Sequence, residues 1–217
     1  MATTKVDVKL IDASSIGDAK FLKGDGTWDT AGGGFLNKKV YTAASTLWTK
    51  PTGVTKIIVE VQGGGGGSGS TGAYANSAGV GGGGAYASKF LDVTNVATCT
   101  VTVGAGGVGD GAGGASEFVY VSGTVSFTTV SVVGGNAGGL GDYTAANITA
   151  TPTTGDVNIA GQGGYSVQLG GSSMFGFGGT IPYATGTGYG AGAGGPSAAT
   201  TTGNSGTQGI VIVWEFK

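Results

Sequence analysis

The sequence predicts an all-β protein: a jelly-roll-like β-sandwich with ordered glycine-rich segments, preceded by a short N-terminal arm. Three observations predict it. Apolar residues recur with a period of two in several short runs, the pattern of a strand with one buried face. Glycine supplies 50 of the 217 residues and is gathered into tracts that those runs bracket. No segment carries the apolar spacing and end signals of an amphipathic helix of ordinary length.

In chain order, residues 1–34 differ in composition from the rest and form the arm. They carry many of the charges, a turn signal at Gly24 to Gly26, and Phe21, Leu22 and Trp28 as candidate assembly residues. The arm is too short to hold a core, so it is expected to order by packing on neighbouring copies or on a larger assembly. Residues 35–217 form the glycine-rich β domain. "TKIIVEVQ" sets Ile57, Val59 and Val61 against Lys56, Glu60 and Gln62, as a half-buried strand requires. "ATCTVTVG" alternates Cys99, Val101 and Val103 with threonines, which makes Cys99 a small buried apolar residue. In "TVSFTTVSVV" the phase of Val125 and Phe127 is opposite to that of Val130 and Val132, so a bulge or break is expected. "GIVIVWEF" is apolar on both faces and is expected in the middle of a sheet, covered on both sides.

The glycine tracts fall at 63–84, 104–114, 134–141, 161–179 and 186–195. As floppy loops they would fray nearly every strand end and would far exceed ordinary connection lengths. Polyglycine II offers an ordered alternative: an extended helix with three residues per turn and no internal hydrogen bonds. Without side chains, such helices approach closely and bond to one another through the backbone, which offsets glycine's large ordering entropy.

Composition excludes several classes of function. Charged residues are 10% of the chain, the net charge is −2, histidine and arginine are absent, and only Lys89 and Lys217 lie beyond Lys56. The glycine-rich body therefore has no electrostatic footprint for nucleic acid. No stretch approaches the length of a membrane span, so membrane insertion is not expected. With no histidine and one cysteine, familiar zinc sites and Ser-His or Cys-His pairs are missing, and no metal or cofactor is expected. The carboxylates Asp92, Asp110, Glu117, Asp142, Asp156 and Glu215 are scattered singly, which argues against glycoside hydrolysis and against an enzyme. Asp110 and Asp142 lack the repeated carboxylates of a calcium loop and read as turn residues. "GAGGVG" after "TVTV" imitates a dinucleotide motif without the helix that would give it meaning.

"LWTKPTGVTKIIVEVQGGGGGSG", "GGGGAYASKFLDV", "CTVTVGAGGVGDGAGGASEF", "SVVGGNAGG" and "GIVIVWEF" together resemble the glycine-rich domain of tail-fibre and receptor-binding proteins of tailed bacteriophages. "AKFLKGDGTWDT" in the arm resembles a segment that precedes terminal domains in phage fibres. The resemblance implies a virion component, commonly a homotrimer, made in the host cytoplasm, whose loops contact the bacterial surface. The arm would join it to other virion proteins.

The candidate contact residues are the aromatic rings set among Gly, Ser, Thr and Asn, a mixture like that of antibody loops. "SSMFGFGGTIPYATGTGYG" holds Phe175, Phe177, Tyr183 and Tyr189, and Tyr165 precedes it. Such rings suit a bacterial surface glycan or an outer-surface protein. Phe175 and Phe177 share parity in an extended chain, which leaves open whether they form an outward patch or part of the core. Tyr86, beside a strand, reads as a packing residue. The expected function is non-catalytic attachment to a host surface, with a structural capsid or tail decoration as the alternative and a surface-glycan hydrolase ranked last.

Overall fold

The computed structural model describes residues 20–22, 28–30, 34–71, 78–139, 147, 151–165, 169–180, 185–196 and 202–217, the first two segments as backbone only. β1 (Lys20–Leu22) and β2 (Trp28–Thr30) pair antiparallel and belong to neither large sheet. The "GDG" turn signal lies between them, outside the described residues.

Two antiparallel sheets form the sandwich. One is built from β3 (Phe35–Tyr41), β5 (Lys56–Gln62), β6 (Tyr86–Asp92), β10 (Val157–Ile159) and β13 (Ile210–Phe216), in the order β10-β6-β5-β13-β3. The other is built from β4 (Thr46–Thr49), β7 (Val96–Thr102), β8 (Ser116–Gly123) and β9 (Val130–Val132), in the order β4-β7-β8-β9. The period of two in "TKIIVEVQ" turns Ile57, Val59 and Val61 inward, where they meet Trp48, Cys99, Val101, Phe118, Val130, Val132, Val211 and Val213. Val96 and Cys99 are three residues apart yet both are buried, because the β7–β8 pairing shifts register between them. Burial pushes the Cys99 thiol up to about 12, which leaves it protonated and inert at neutral pH. The phase conflict after Val125 is a break: β8 ends at Gly123 and β9 starts at Val130.

Among the described residues, one carboxylate lies inside this sandwich. Glu215 of β13 has no exposed surface. It accepts hydrogen bonds from Trp48 Nε1 at 2.7 Å and Asn37 Nδ2 at 3.1 Å, and Lys39 Nζ stands 3.6 Å away. Trp48 belongs to the four-stranded sheet and Glu215 to the five-stranded one, so this bond ties the two layers together.

The described parts of the glycine tracts continue directly from the strands as an ordered bundle. Residues 63–69 leave β5 and are buried throughout. The N–H groups of Gly63, Gly66 and Gly69 donate to Ala85, Gly82 and Gly79 at 2.9, 2.8 and 2.8 Å. Those of Gly64 and Gly67 donate to Gly114 and Gly111 at 3.0 and 2.9 Å, and those of Gly65 and Ser68 to Thr207 and Asn204 at 2.8 and 2.9 Å. Each neighbour is served by every third residue, the repeat of a polyglycine II helix. Gly107, Gly135, Gly138 and Ala193 donate back to carbonyls of the same tract, so six segments surround it. A Cβ built on Gly65, Gly66, Gly69, Gly81 or Gly113 would lie closer than 3.0 Å to a neighbouring carbonyl. Glycine is required there because the backbones touch.

The bundle also includes a segment that the sequence tracts omit. Residues 202–209 donate and accept backbone bonds with Gly65, Ser68, Gly104, Gly107 and Ala191. The signal was present in the spacing: Gly203, Gly206 and Gly209 recur every third residue.

The expectation that "GIVIVWEF" is covered on both sides needs correction. Val211, Val213 and Glu215 are buried, but Ile212, Trp214 and Phe216 face outward and are only half-buried; Phe35 packs on Trp214 and Phe216, and the Lys38 ammonium lies 5.0 Å from the Trp214 ring centroid. Exposed Leu36, Val40, Phe90 and Val157 extend this outer apolar face. At its middle, Glu60 accepts from Trp214 Nε1 at 2.6 Å and from Tyr86 Oη at 2.8 Å.

Burial first, then the hydrogen bond to Glu60, pushes the Tyr86 phenol up to about 12. Tyr41 is likewise pushed to about 12 by burial and then by the Glu215 charge. A folded-state pKa above the unfolded value near 10 gives stability that is fully present below pH 10 and is lost as pH rises toward 12. Urea midpoints measured from pH 8 to 12 are therefore expected to fall above pH 10, and the fall should be smaller in Tyr86→Phe.

Candidate functional site

The segment from Val157 to Tyr189 builds a contact surface on the flank of the molecule, where the bundle meets the edge of the five-stranded sheet. β10 pairs along β6, with Val157, Asn158 and Ile159 opposite Ser88, Ala87 and Tyr86. β11 (Phe175–Phe177) and β12 (Thr187–Tyr189) then form a separate antiparallel hairpin. Gly188, at φ +77°, occupies a left-handed conformation that a side chain would strain. Bridges from Tyr165 to Leu169 and from Leu169 to Thr180 join the preceding segment to this hairpin.

Buried Gln62, the last residue of β5, anchors the surface. Its Nε2 donates to Gly84 O at 2.8 Å and Ala85 O at 3.0 Å, and its Oε1 accepts from the Met174 amide at 3.2 Å. One carboxamide thus holds the strand end, a glycine tract and the hairpin entry together, satisfying polar groups that would otherwise be orphaned. Ser173 Oγ donates to the Tyr189 carbonyl at 2.5 Å and fixes the far side.

Two clefts open on this surface. Ile159, Gln162, Ser172, Met174 and Phe177 line one of about 340 Å³. The other, of about 500 Å³, is lined by Gly161, Gln162, Gly163 and Tyr165. Both include Ala160 and Gln162, so they adjoin.

Of the expected contact residues, Tyr165 and Phe177 stand well out, each with 78% of its surface exposed. Phe175 does not share that exposure: its ring lies edge-on to Tyr86 at 5.6 Å and seats the hairpin against the sheet. Tyr189 is half-buried opposite Phe175. Tyr183 lies outside the described residues, as do the side chains of Phe21, Leu22 and Trp28. Tyr86 is buried, as a packing residue should be. Ile159 and Gln162 carry no ring and were missed by sequence reasoning, whereas Met174 lies in the candidate contact loop. No single-residue signal marks them; it is the β10 pairing and the Gln62 anchor that bring them together.

The described carboxylates hold the framework. Asp110 accepts from the Ser70 amide at 2.6 Å and from its hydroxyl at 2.8 Å, linking two glycine segments at the turn. Asp156 accepts from the Phe90 amide at 2.9 Å, and Glu117 from Ser131 Oγ at 2.9 Å. Asp92 accepts from the Thr94 amide at 2.9 Å, and that bond holds its carboxyl below the usual range. Among the described residues no three of His, Cys, Asp and Glu cluster as a metal site would need.

An antiparallel sandwich continued into a polyglycine bundle, with an uncharged aromatic flank, defines a glycine-rich β module. Residues 41–214 match the family model described as a glycine-rich domain, and the chain belongs to that family. None of the curated proteins compared with the chain matches it.

Proposed function

We propose that this chain is a non-catalytic bacteriophage fibre or adhesin subunit that attaches to the bacterial surface through the flank clefts. The observation that carries this reading is the pair of exposed rings, Tyr165 and Phe177, on adjoining uncharged clefts. Exposed rings beside shaped clefts mark contact sites, and a rigid base lowers the ordering cost of binding. The N-terminal arm would join the chain to other virion proteins at the particle surface. A homotrimer would present several weak sites at once and gain avidity.

The test is binding of fluorescently labelled protein to a panel of intact bacteria, with unlabelled protein as competitor. Saturable, strain-selective binding is expected, and Tyr165→Ala with Phe177→Ala should weaken it by at least about tenfold without lowering thermal stability. Absence of binding to every strain would reject the reading.

The outer apolar face of the five-stranded sheet favours a second reading, a structural capsid or tail decoration. Apolar patches of this kind usually mark contacts with other proteins. Phe90→Lys, on that face, is expected to lower incorporation into particles several-fold while leaving cell binding by the free protein unchanged. A particle that loses nothing with Phe90→Lys but loses host attachment with Phe177→Ala would favour adhesion.

A further inference from the structure

We infer that the two adjoining clefts take an uncharged oligosaccharide, with the Phe177 and Tyr165 rings as stacking platforms and the Gln162 carboxamide as the polar contact between them. This deepens the adhesin reading and rests on it.

The polar groups of the clefts are divided unequally between fold and surface. Several main-chain groups are engaged within the fold: the Gln162 N–H donates to Ser172 O at 3.0 Å, its C=O accepts from Gly83 N at 2.8 Å, and the Ser173 N–H donates to Gly176 O at 2.9 Å. The Tyr165 N–H donates to Leu169 O at 2.8 Å. Side chains remain. The exposed Gln162 carboxamide bonds to none of the described residues and sits where the clefts meet. Ser172 Oγ accepts from Gly178 N at 3.3 Å and keeps its own O–H to donate.

A ring face, a carboxamide and a hydroxyl match the two sides of a pyranose. The electron-rich face of Phe177 or Tyr165 attracts the C–H face of the sugar, and the carboxamide offers a donor and an acceptor to neighbouring hydroxyls. Among the described lining residues of both clefts there is no ionisable side chain apart from the Tyr165 phenol. A uronate or sialate carboxylate would therefore lose water without gaining a cation, an unfavourable exchange. Two clefts sharing Gln162 provide room for more than one sugar unit.

The test uses the full chain and a strain that it binds. Cells are treated with periodate, which cleaves sugar diols, or with proteinase K, and polysaccharide from the same strain is separated by anion exchange into neutral and acidic fractions. Periodate treatment and the neutral fraction should each abolish binding, proteinase K should not, and Gln162→Ala and Phe177→Ala should each raise the half-saturating concentration about tenfold, with Phe177→Trp restoring it. Binding that survives periodate and is lost to proteinase K would overturn the saccharide and leave the adhesin standing. Competition by the acidic fraction alone would overturn the uncharged class. If no strain binds at all, the adhesin reading itself fails, and this inference with it.

Discussion

Gly66→Ala is expected to cost about 3–5 kcal/mol or to prevent folding. The Gly66 N–H donates to Gly82 O at 2.8 Å, its carbonyl accepts from Ala193 N at 3.0 Å, and its missing side chain would fall against the carbonyls of Asn136 and Gly135. A flexible side chain would step aside, but these obstacles are backbone atoms held by bonds of their own. The added methyl therefore separates tracts that come from distant parts of the sequence, and the loss spreads around the central helix. Gly34→Ala is the control: nothing lies within 4 Å of a Cβ there, and the change should stay within about 0.5 kcal/mol. Urea denaturation of both variants checks the contrast. Equal midpoints would mean that the close approach at Gly66 is absent.

Glu215→Ala should produce the second large effect, a loss of about 3–5 kcal/mol. The substitution leaves the buried Trp48 Nε1 without its acceptor, removes the partner of Lys39, and opens a hole between the sheets. Trp48→Phe keeps most of the ring and removes only the donor, so a smaller loss of about 1–3 kcal/mol is expected. The double variant should lose less than the sum, since each change removes the same bond. Additive losses would show that the two residues contribute independently and that Glu215 acts through Asn37 and Lys39 alone.

The sandwich was legible wherever one face of a strand is buried. In β5 and β7 the period of two names the core residues directly, and the phase conflict at Val125 to Val132 locates the gap between β8 and β9. Glu215 was not legible as a core residue. A carboxylate in phase with Val211 and Val213 announces burial only when its partners are known, and Trp48, Asn37 and Lys39 are more than 160 residues away. The bundle was legible as an ordered alternative to linkers only where glycine is dense. Period three would have added residues 202–209, where glycine is sparse and Gly203, Gly206 and Gly209 alone meet the close contacts.

The flank shows why parity left Phe175 and Phe177 undecided. Both flank Gly176 on one short strand, yet Phe175 lies at the base of the hairpin over Tyr86, while Phe177 stands at its loop end, in solvent. Position along the hairpin relative to β6 separates them. That relation depends on β10 and on the Gln62 anchor, both set by pairings across the chain.

Amide hydrogen exchange measures directly whether the glycine tracts are a framework rather than tethers. The N–H groups of Gly64 to Ser68 should exchange as slowly as those of β5, since each is buried and bonded to a neighbouring tract. Exchange at the rate of an unstructured glycine peptide, while β5 stays protected, would contradict the framework and leave the flank clefts without the support that shapes them.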